Sequence, residues 1–259
     1  MRYFIFVSPV VVSAMICTAR AEDVKDVLPP APEGQTWKLV WHDEFDGEKL
    51  DETRWNVPPD GKRRDAFWMR KAISLDGQGH LVISTLKEDG KYIDGCVRTL
   101  GKFEHTYGYY VARIRLQSQP GHWSAFWLMG RGVGKIGNDG RDGTEIDIME
   151  KPWLNDQVQH ALHWDGYGRH HKSAAQKSTV PGVMKGFHTF ALFWTPKQYV
   201  FYVDGKETWR TRAGGVCQAP LYIKLSDEVG SWGGDIGKAD LPDRFLVDYV
   251  RVYDLMERK

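Results

Sequence analysis

The chain has 259 residues, enough for one large domain or two small ones, and its formal net charge of +1 gives no indication of nucleic acid as a partner. Its three cysteines lack the closely spaced Cys and His pairs of a zinc site. The unusual feature is the aromatic content of 11 Trp, 11 Tyr and 11 Phe. Tryptophan fills cores, but its flat amphipathic ring is also suited to stacking on sugars.

Residues 1–21 have the pattern of a cleaved signal peptide. Arg2 precedes an apolar run over residues 3–18, and Ala19-Arg20-Ala21 resembles an A-x-A cleavage site. The run is short and interrupted by a proline, which disfavours a stable membrane insertion. We therefore expect a secreted or periplasmic protein. Loss of the two arginines in this segment leaves 33 basic and 34 acidic residues, a net charge of −1.

The mature chain is predicted to begin with a linker. Residues 22–36 are polar and rich in proline, and one domain is expected over residues 37–259. Cys96 and Cys217 remain in this part. They form either a disulfide, which export permits, or two buried thiols.

The domain is predicted to be all-β. Ten segments either alternate apolar and polar residues or are rich in Val, Ile, Tyr, Phe and Trp, and Asp204-Gly205 predicts a hairpin turn. Because no long amphipathic helical pattern occurs, we expect a sandwich of two curved antiparallel sheets with a concave cleft. The segments are 37–41, 80–85, 107–117, 124–130, 144–150, 157–164, 187–195, 198–205, 221–226 and 245–254.

One predicted strand, "TEIDIME" (144–150), carries three acids with the third out of phase. In a regular strand Glu145 and Asp147 share a face and Glu150 points the other way. A one-residue bulge at Ile148–Met149 would return Glu150 to the face of the other two acids, and the apolar residues would stay in the core. Three carboxylates in one groove suit glycoside hydrolysis, whereas the motif taken alone is also compatible with a solvated strand face.

The motif and its surroundings resemble glycoside hydrolase family 16, which includes laminarinases, lichenases, agarases and carrageenases. "GHWSAFWLM" (121–129) precedes the acidic strand, and "LVWHDEFDG" (39–47) resembles the opening strand of the family. "GCVRTLGKFEHTYGYYVARIRL" (95–116) and "VDYVRVYD" (247–254) resemble later strands. The resemblance thus covers residues 37–254.

The resemblance implies a β-jelly-roll and retaining, endo-acting hydrolysis of a β-1,3- or β-1,4-linked glucan or galactan. It implies Glu145 as nucleophile, Asp147 as assisting acid and Glu150 as acid/base. No cofactor is required, and we expect a monomer with a polysaccharide as its partner. The bulged E-x-D-x-x-E form is typical of laminarinases and algal galactanases and argues against a strict lichenase.

Further residues match positions around the cleft of the family. The stacking pair is Trp123 and Trp127, although Trp127 also fits a core position. The substrate-binding residues implied by the resemblance, or expected at the rim, are Asn56, Arg98, Trp123, Trp127, Trp153, His163 and Trp232. Many members also hold a structural calcium, and Glu44 and Asp248 fall at its ligand positions.

Two alternatives stay open at this point. The same sandwich also serves as a lectin-like sugar-binding module, and the same site also serves transglycosylases. The substrate is open as well, because "KPWLNDQ" (151–157) replaces the continuation common in laminarinases. The loops "GKRRD" (61–65) and "GRHHK" (168–172) would suit a sulfated substrate if they reach the cleft, but basic loops are also commonly only solvated.

Overall fold

A computed structural model describes residues 28–258, which form two β-sheets and three single-turn 3₁₀ helices. The signal-peptide prediction lies outside the described residues. The strands are β1 (Gln35–Asp43), β2 (Gly61–Arg63), β3 (Ala66–Trp68), β4 (Ile73–Leu75), β5 (Leu81–Glu88), β6 (Lys91–Asp94), β7 (Cys96–Arg98), β8 (Glu104–His105), β9 (Gly108–Arg115), β10 (His122–Gly130), β11 (Glu145–Lys151), β12 (Gln157–Trp164), β13 (Lys172–Thr179), β14 (His188–Trp194), β15 (Tyr199–Val203), β16 (Lys206–Thr211), β17 (Leu221–Val229) and β18 (Asp243–Glu257). The 3₁₀ helices are Arg70–Ala72, Ser231–Gly233 and Ile236–Lys238.

The strands divide between an eleven-stranded and a seven-stranded sheet. The larger sheet has the order β16-β15-β14-β9-β18-β5-β6-β3-β2, with β1 paired to β18 and β4 paired to β5. The smaller sheet has the order β13-β12-β11-β10-β17-β7, with β8 paired to β17. All pairs are antiparallel except β3 with β6. The predicted all-β sandwich is confirmed, and each of the ten predicted segments falls on a strand.

Alternating side chains of both sheets fill the core between them. One hydrophobic cluster contains Phe126 of β10, Ile146 of β11, Ile114 of β9 and Phe190 of β14, and all four are fully buried. Because successive strand residues point to opposite faces, the other face of β10 and β11 is left for a surface groove. That groove on the seven-stranded sheet holds the site described below.

The predicted hairpin turn is present, and the first strand begins before the predicted linker ends. Asp204 and Gly205 both have positive φ angles, of 49° and 71°, and connect β15 to β16 as a two-residue turn. Strand β1 already begins at Gln35, so the last two residues of the predicted linker belong to the sheet. Upstream, the indole N–H of Trp37 donates to the carbonyl of Pro29 at 2.8 Å.

The two remaining cysteines are separate buried thiols. Cys96 and Cys217 are both free, and burial raises the pKa of each thiol to about 11. Of the two arrangements left open by the sequence, the structure therefore has the buried thiols. Within residues 28–258 no helix has the length and apolar character needed to cross a membrane.

Candidate active site

Strand β11 contains a bulge at the predicted position. On the β10 side, the partners of Phe126 and Trp127 are Met149 and Asp147, which leaves Ile148 without a partner. The pairing between β11 and β12 shifts at the same place. Two residues of β11 thus span the space that one residue spans on its neighbours, which changes the phase of the strand.

The bulge brings the three acids to one groove. Glu145, Asp147 and Glu150 all line a cavity of about 430 Å³ on the seven-stranded sheet. Ile148 and Met149 are fully buried in the core between the sheets. The predicted bulge and the shared face of the acids are therefore confirmed.

His160 on β12 holds the bulge in place. Burial lowers the pKa of His160 to about 4, so its imidazole is neutral. Its Nδ1 lies 2.7 Å from the carbonyl oxygen of Ile148 and must donate to it, because a carbonyl oxygen can only accept. Nε2 then accepts from the hydroxyl of Thr208 at 2.9 Å. The role of His160 was not predicted, because a histidine in a strand carries no sequence signal for which face it occupies.

Burial and mutual repulsion hold protons on two of the acids. Burial raises the pKa of Asp147 well above its usual range, and the nearby charge of Glu145 adds to the effect. Burial likewise raises the pKa of Glu150, and the charge of Asp147 raises it further. The amide of Gln159 lies 3.2 Å from Oε2 of Glu150 and partly offsets the rise, because it donates to the ionised form. The site thus holds carboxyl groups that stay protonated beyond their ordinary range.

Tyr167, in the loop between β12 and β13, contacts the first acid. Its hydroxyl donates to Oε2 of Glu145 and lies 3.6 Å from the sulfur of Met129. Burial raises the pKa of the Tyr167 hydroxyl, and the charge of Glu145 raises it further, so it remains a donor. This residue was not predicted, because it stands in a glycine-rich loop without periodicity.

His163, one of the predicted substrate-binding residues, lies close to Asp147, the middle acid of the three. Its Nε2 is 3.4 Å from Oδ2 of Asp147, an oxygen that is buried and accepts no hydrogen bond. Its Nδ1 is 2.9 Å from Nε2 of His171, and the two rings stack with centroids 5.1 Å apart. Together with Glu145 and Asp147, His163 forms the one set of three candidate metal ligands in residues 28–258. That set coincides with the acids of the cleft.

The predicted stacking pair lines the cavity, but little of either ring is open. Trp123 is 4% exposed and Trp127 is 5% exposed. The ammonium of Lys224 lies 3.6 Å from the ring centroid of Trp127, and the guanidinium of Arg64 lies 5.1 Å from that of Trp123. The indoles therefore support cations at this part of the cleft instead of presenting bare faces.

The two predicted rim tryptophans extend this aromatic surface. Trp232 is 37% exposed and packs edge-on against Trp123 and Trp153, with ring centroids 5.3 and 5.6 Å away. Neither Trp153 nor Trp232 lines the cavity around the acids. The buried ammonium of Lys151 donates to the carbonyl of Trp153, which fixes the "KPW" turn.

Asn56 and Arg98 lie together at one side of the sheet. The Nε of Arg98 donates to Oδ1 of Asn56 at 2.9 Å, and their backbones form an isolated bridge. Arg98 belongs to β7, two strands away from β10. Both residues are outside the lining of the cavity around the acids.

The two predicted calcium ligands are each bound by an arginine. Glu44 accepts two hydrogen bonds from Arg251, at 2.8 and 2.7 Å. Asp248 is fully buried and pairs with Arg113. Since an arginine compensates each charge, the structure gives no support to a calcium ion at this pair.

A cationic group that was not assigned from the sequence lies in the same cavity as the acids. The group consists of Arg63, Arg64 and Lys224, and the carboxylate of Glu228 lines the same cavity. The two arginines come from the loop 61–65, one of the two basic loops singled out above. In the other loop, Lys172 lies 2.9 Å from Asp165, so its charge is paired locally.

Comparison with known proteins agrees with this geometry. The family model described as glycosyl hydrolases family 16 matches residues 61–251. The chain belongs to this family. It is therefore a glycoside hydrolase, as the sequence predicted, and the lectin-like alternative loses its support.

Similar proteins include glucan- and galactan-active enzymes. A β-glucanase of Rhodothermus marinus is 30% identical and aligns with 93% of this chain and 91% of its own length. A keratan-sulfate endo-1,4-β-galactosidase of Sphingobacterium multivorum is also 30% identical, over 85% of this chain, which spans 56% of that protein. The laminarinase catalytic domain of Thermotoga petrophila has a TM-score of 0.71 and 28% identity, covering 85% and 98% of the two chains. The predicted jelly-roll sandwich is thereby confirmed.

Proposed function

We propose that the protein is an exported, endo-acting β-glycanase that cleaves internal β-1,3 or β-1,4 linkages with retention of configuration. The observation that carries this proposal is the β11 bulge, which puts Glu150, held protonated, in one groove with Glu145. A retaining glycosidase needs one carboxylate as nucleophile and one carboxylic acid as proton donor. A carboxyl group whose pKa is raised by its environment, as that of Glu150 is, is typical of the proton donor in such a pair.

In the first step, Glu145 attacks the anomeric carbon, and the bond to the glycosidic oxygen breaks. Glu150 donates its proton to that oxygen, so the leaving sugar departs as a neutral alcohol. Tyr167 and Asp147 flank Glu145. The Tyr167 hydroxyl orients the nucleophile, and the proton on Asp147 prevents a second full charge beside it.

In the second step, water releases the sugar from Glu145. Glu150 is now ionised and takes a proton from the incoming water, whose oxygen forms the new bond to the anomeric carbon. Glu145 is regenerated as a carboxylate. Two displacements at one carbon restore the original configuration.

The shape of the site supports endo action. The acids stand in the middle of the seven-stranded sheet, with β12 and β13 on one side and β10, β17 and β7 on the other. Potential sugar contacts occur on both sides, at His163 and Tyr167 on one and at Trp123 and Lys224 on the other. A polysaccharide can therefore cross the groove without presenting a chain end.

Release of reducing ends from laminarin, agarose and carrageenan tests the proposal. We expect the wild type to cleave at least one of these polymers into oligosaccharides and Glu145→Gln to be inactive. Glu150→Gln should lose roughly 10²- to 10⁴-fold in kcat, the usual contribution of an acid/base group. The exposed surface variant Glu207→Gln serves as the matched control.

The products decide between the open alternatives. Binding of sugar without cleavage by wild type or variants would restore the lectin-like interpretation. Transfer of the cleaved chain to an added oligosaccharide in preference to water would make the protein a transglycosylase.

The pH dependence of kcat/KM tests the role of Glu150. Because Glu150 must be protonated to donate a proton, the enzyme should lose activity as the pH rises through the pKa of Glu150. Gln159→Met removes the donor that lowers this pKa, so the alkaline limb should move to higher pH. Asp147→Asn removes a neighbour whose charge raises the pKa of Glu150 once Asp147 has lost its own proton, so the limb should move to lower pH. We expect each shift to be about half a unit to one unit. Shifts in the same direction, or none, would contradict the assignment.

Export is supported by the N-terminal pattern in residues 1–21. Expression of the full-length chain in a bacterial host, followed by N-terminal sequencing of the exported protein, should give a mature chain that starts at Glu22. Retention of Met1 in a cytoplasmic product would contradict export.

A further inference from the structure

Three cations converge on the β17 side of the cleft. Arg63 ends β2, Arg64 follows it in the turn to β3, and Lys224 projects from β17. All three line the same cavity as the three acids. Because β17 is separated from β11 by one strand, a sugar bound there would adjoin the sugar at the acids.

One buried carboxylate anchors both arginines. The side chain of Glu228 is 5% exposed, and its oxygens accept from Nε of Arg63 at 2.9 Å and from Nε of Arg64. The side chains of Arg63 and Arg64 remain 37% and 52% exposed. Each guanidinium carries five N–H donors, so several stay available after Glu228 is satisfied. The arrangement fixes the two cations and leaves one net positive charge.

Lys224 adds a second positive charge that the protein does not pair. It is 6% exposed, and no carboxylate of residues 28–258 lies within ion-pair distance of its ammonium. It lies over Trp127 and 5.2 Å from the ring centroid of Trp68. Burial lowers the pKa of Lys224, as expected for a cation removed from water. An anion entering the groove would offset this cost of desolvation.

The acids near this group do not cancel it. Asp65 follows Arg64 but is exposed and lies outside the lining of the cavity. Asp147 and Glu150 hold protons beyond the ordinary range, as described above. Glu145, the carboxylate proposed as nucleophile, also lines this cavity, and its charge acts on Lys224. With Glu145 and Glu228 counted against the three cations, the cleft keeps one net positive charge that a neutral glucan would not use.

We propose that this group is an anion subsite and that the substrate is a sulfated β-glycan whose sulfate ester binds Arg63, Arg64 and Lys224. The inference rests on the proposed glycanase function and specifies its substrate. A sulfate ester keeps its charge at all working pH values and offers three terminal oxygens to the three cations. Arginine forks are suited to oxyanions of this kind.

Binding to the inactive Glu145→Gln variant tests the subsite separately from cleavage. Isothermal titration calorimetry compares sulfated, desulfated and C6-carboxylated oligosaccharides built on an agarose-type galactan and on a β-1,3-glucan. On the backbone that binds, we expect the sulfated form to bind about tenfold or more tightly than the desulfated form. The carboxylated form should bind less tightly than the sulfated form. The advantage should shrink with added NaCl, since salt screens charge pairs.

Substitutions in the same inactive background assign the effect to these residues. Lys224→Met keeps the packing between the two indoles and should reduce the preference for sulfate several-fold. The triple variant Arg63→Gln, Arg64→Gln and Glu228→Gln removes the arginines together with their buried partner, so no unpaired carboxylate is left behind, and should abolish most of the preference. Arg210→Gln with Arg212→Gln, on the edge of the other sheet, is the matched control and should not change it.

The outcomes separate the two proposals. Equal or weaker binding of the sulfated form, no binding of any form, stronger binding of the carboxylated form, or a preference that survives both cleft variants would overturn the sulfate subsite. Cleavage of neutral polymers by the wild type in those cases would leave the glycanase function standing. A sulfate preference without cleavage of any polymer would instead retain the subsite and remove the hydrolase.

Discussion

A hydrogen bond inside the seven-stranded sheet, from the neutral imidazole of His160 to the carbonyl of Ile148, supports the geometry on which the cleft depends. A strand alternates its side chains between two faces, so the phase of β11 can change only where a residue is inserted. The insertion removes a backbone carbonyl from the regular ladder, and a buried carbonyl without a donor is costly. His160 supplies that donor, and burial keeps it in the neutral form that also accepts from Thr208.

The same burial that stabilises the sandwich also sets the chemistry of its groove. Asp147 is 4% exposed and stands between two other carboxyls, so its ionisation is opposed both by desolvation and by Glu145. Glu150 experiences the same desolvation and the charge of Asp147. On the β17 side of the cleft, three cations are in contact with Glu228 and with two indoles. Glu228 pairs with Arg63 and Arg64, Trp123 lies under Arg64, and Trp127 lies under Lys224. Acid/base chemistry and the proposed recognition of sulfate thus occupy neighbouring parts of one cleft.

Much of the fold could be predicted from the sequence, because ten strands have apolar or alternating patterns. Strand β13 could not, since Lys172–Thr179 is a polar, mostly exposed edge strand without alternation. The bulge was predictable because Glu150, one place out of phase, can share a face with Glu145 only if a residue is inserted between them. The position of Lys224 over the ring of Trp127 could not be predicted, because no sequence pattern shows whether a lysine in a fully buried strand faces the core or the cleft. Tyr167 stands in a loop, where position depends on tertiary contacts.

The central claim is that the bulge makes Glu145 the nucleophile and Glu150 the proton donor in one groove. Its most direct test is to trap the reaction with a 2-deoxy-2-fluoro glycoside of the cleaved sugar and to map the labelled peptide by mass spectrometry. The structure predicts a covalent sugar on Glu145, within the β11 peptide. A label on Glu150, or hydrolysis with inversion and no covalent adduct, would contradict it.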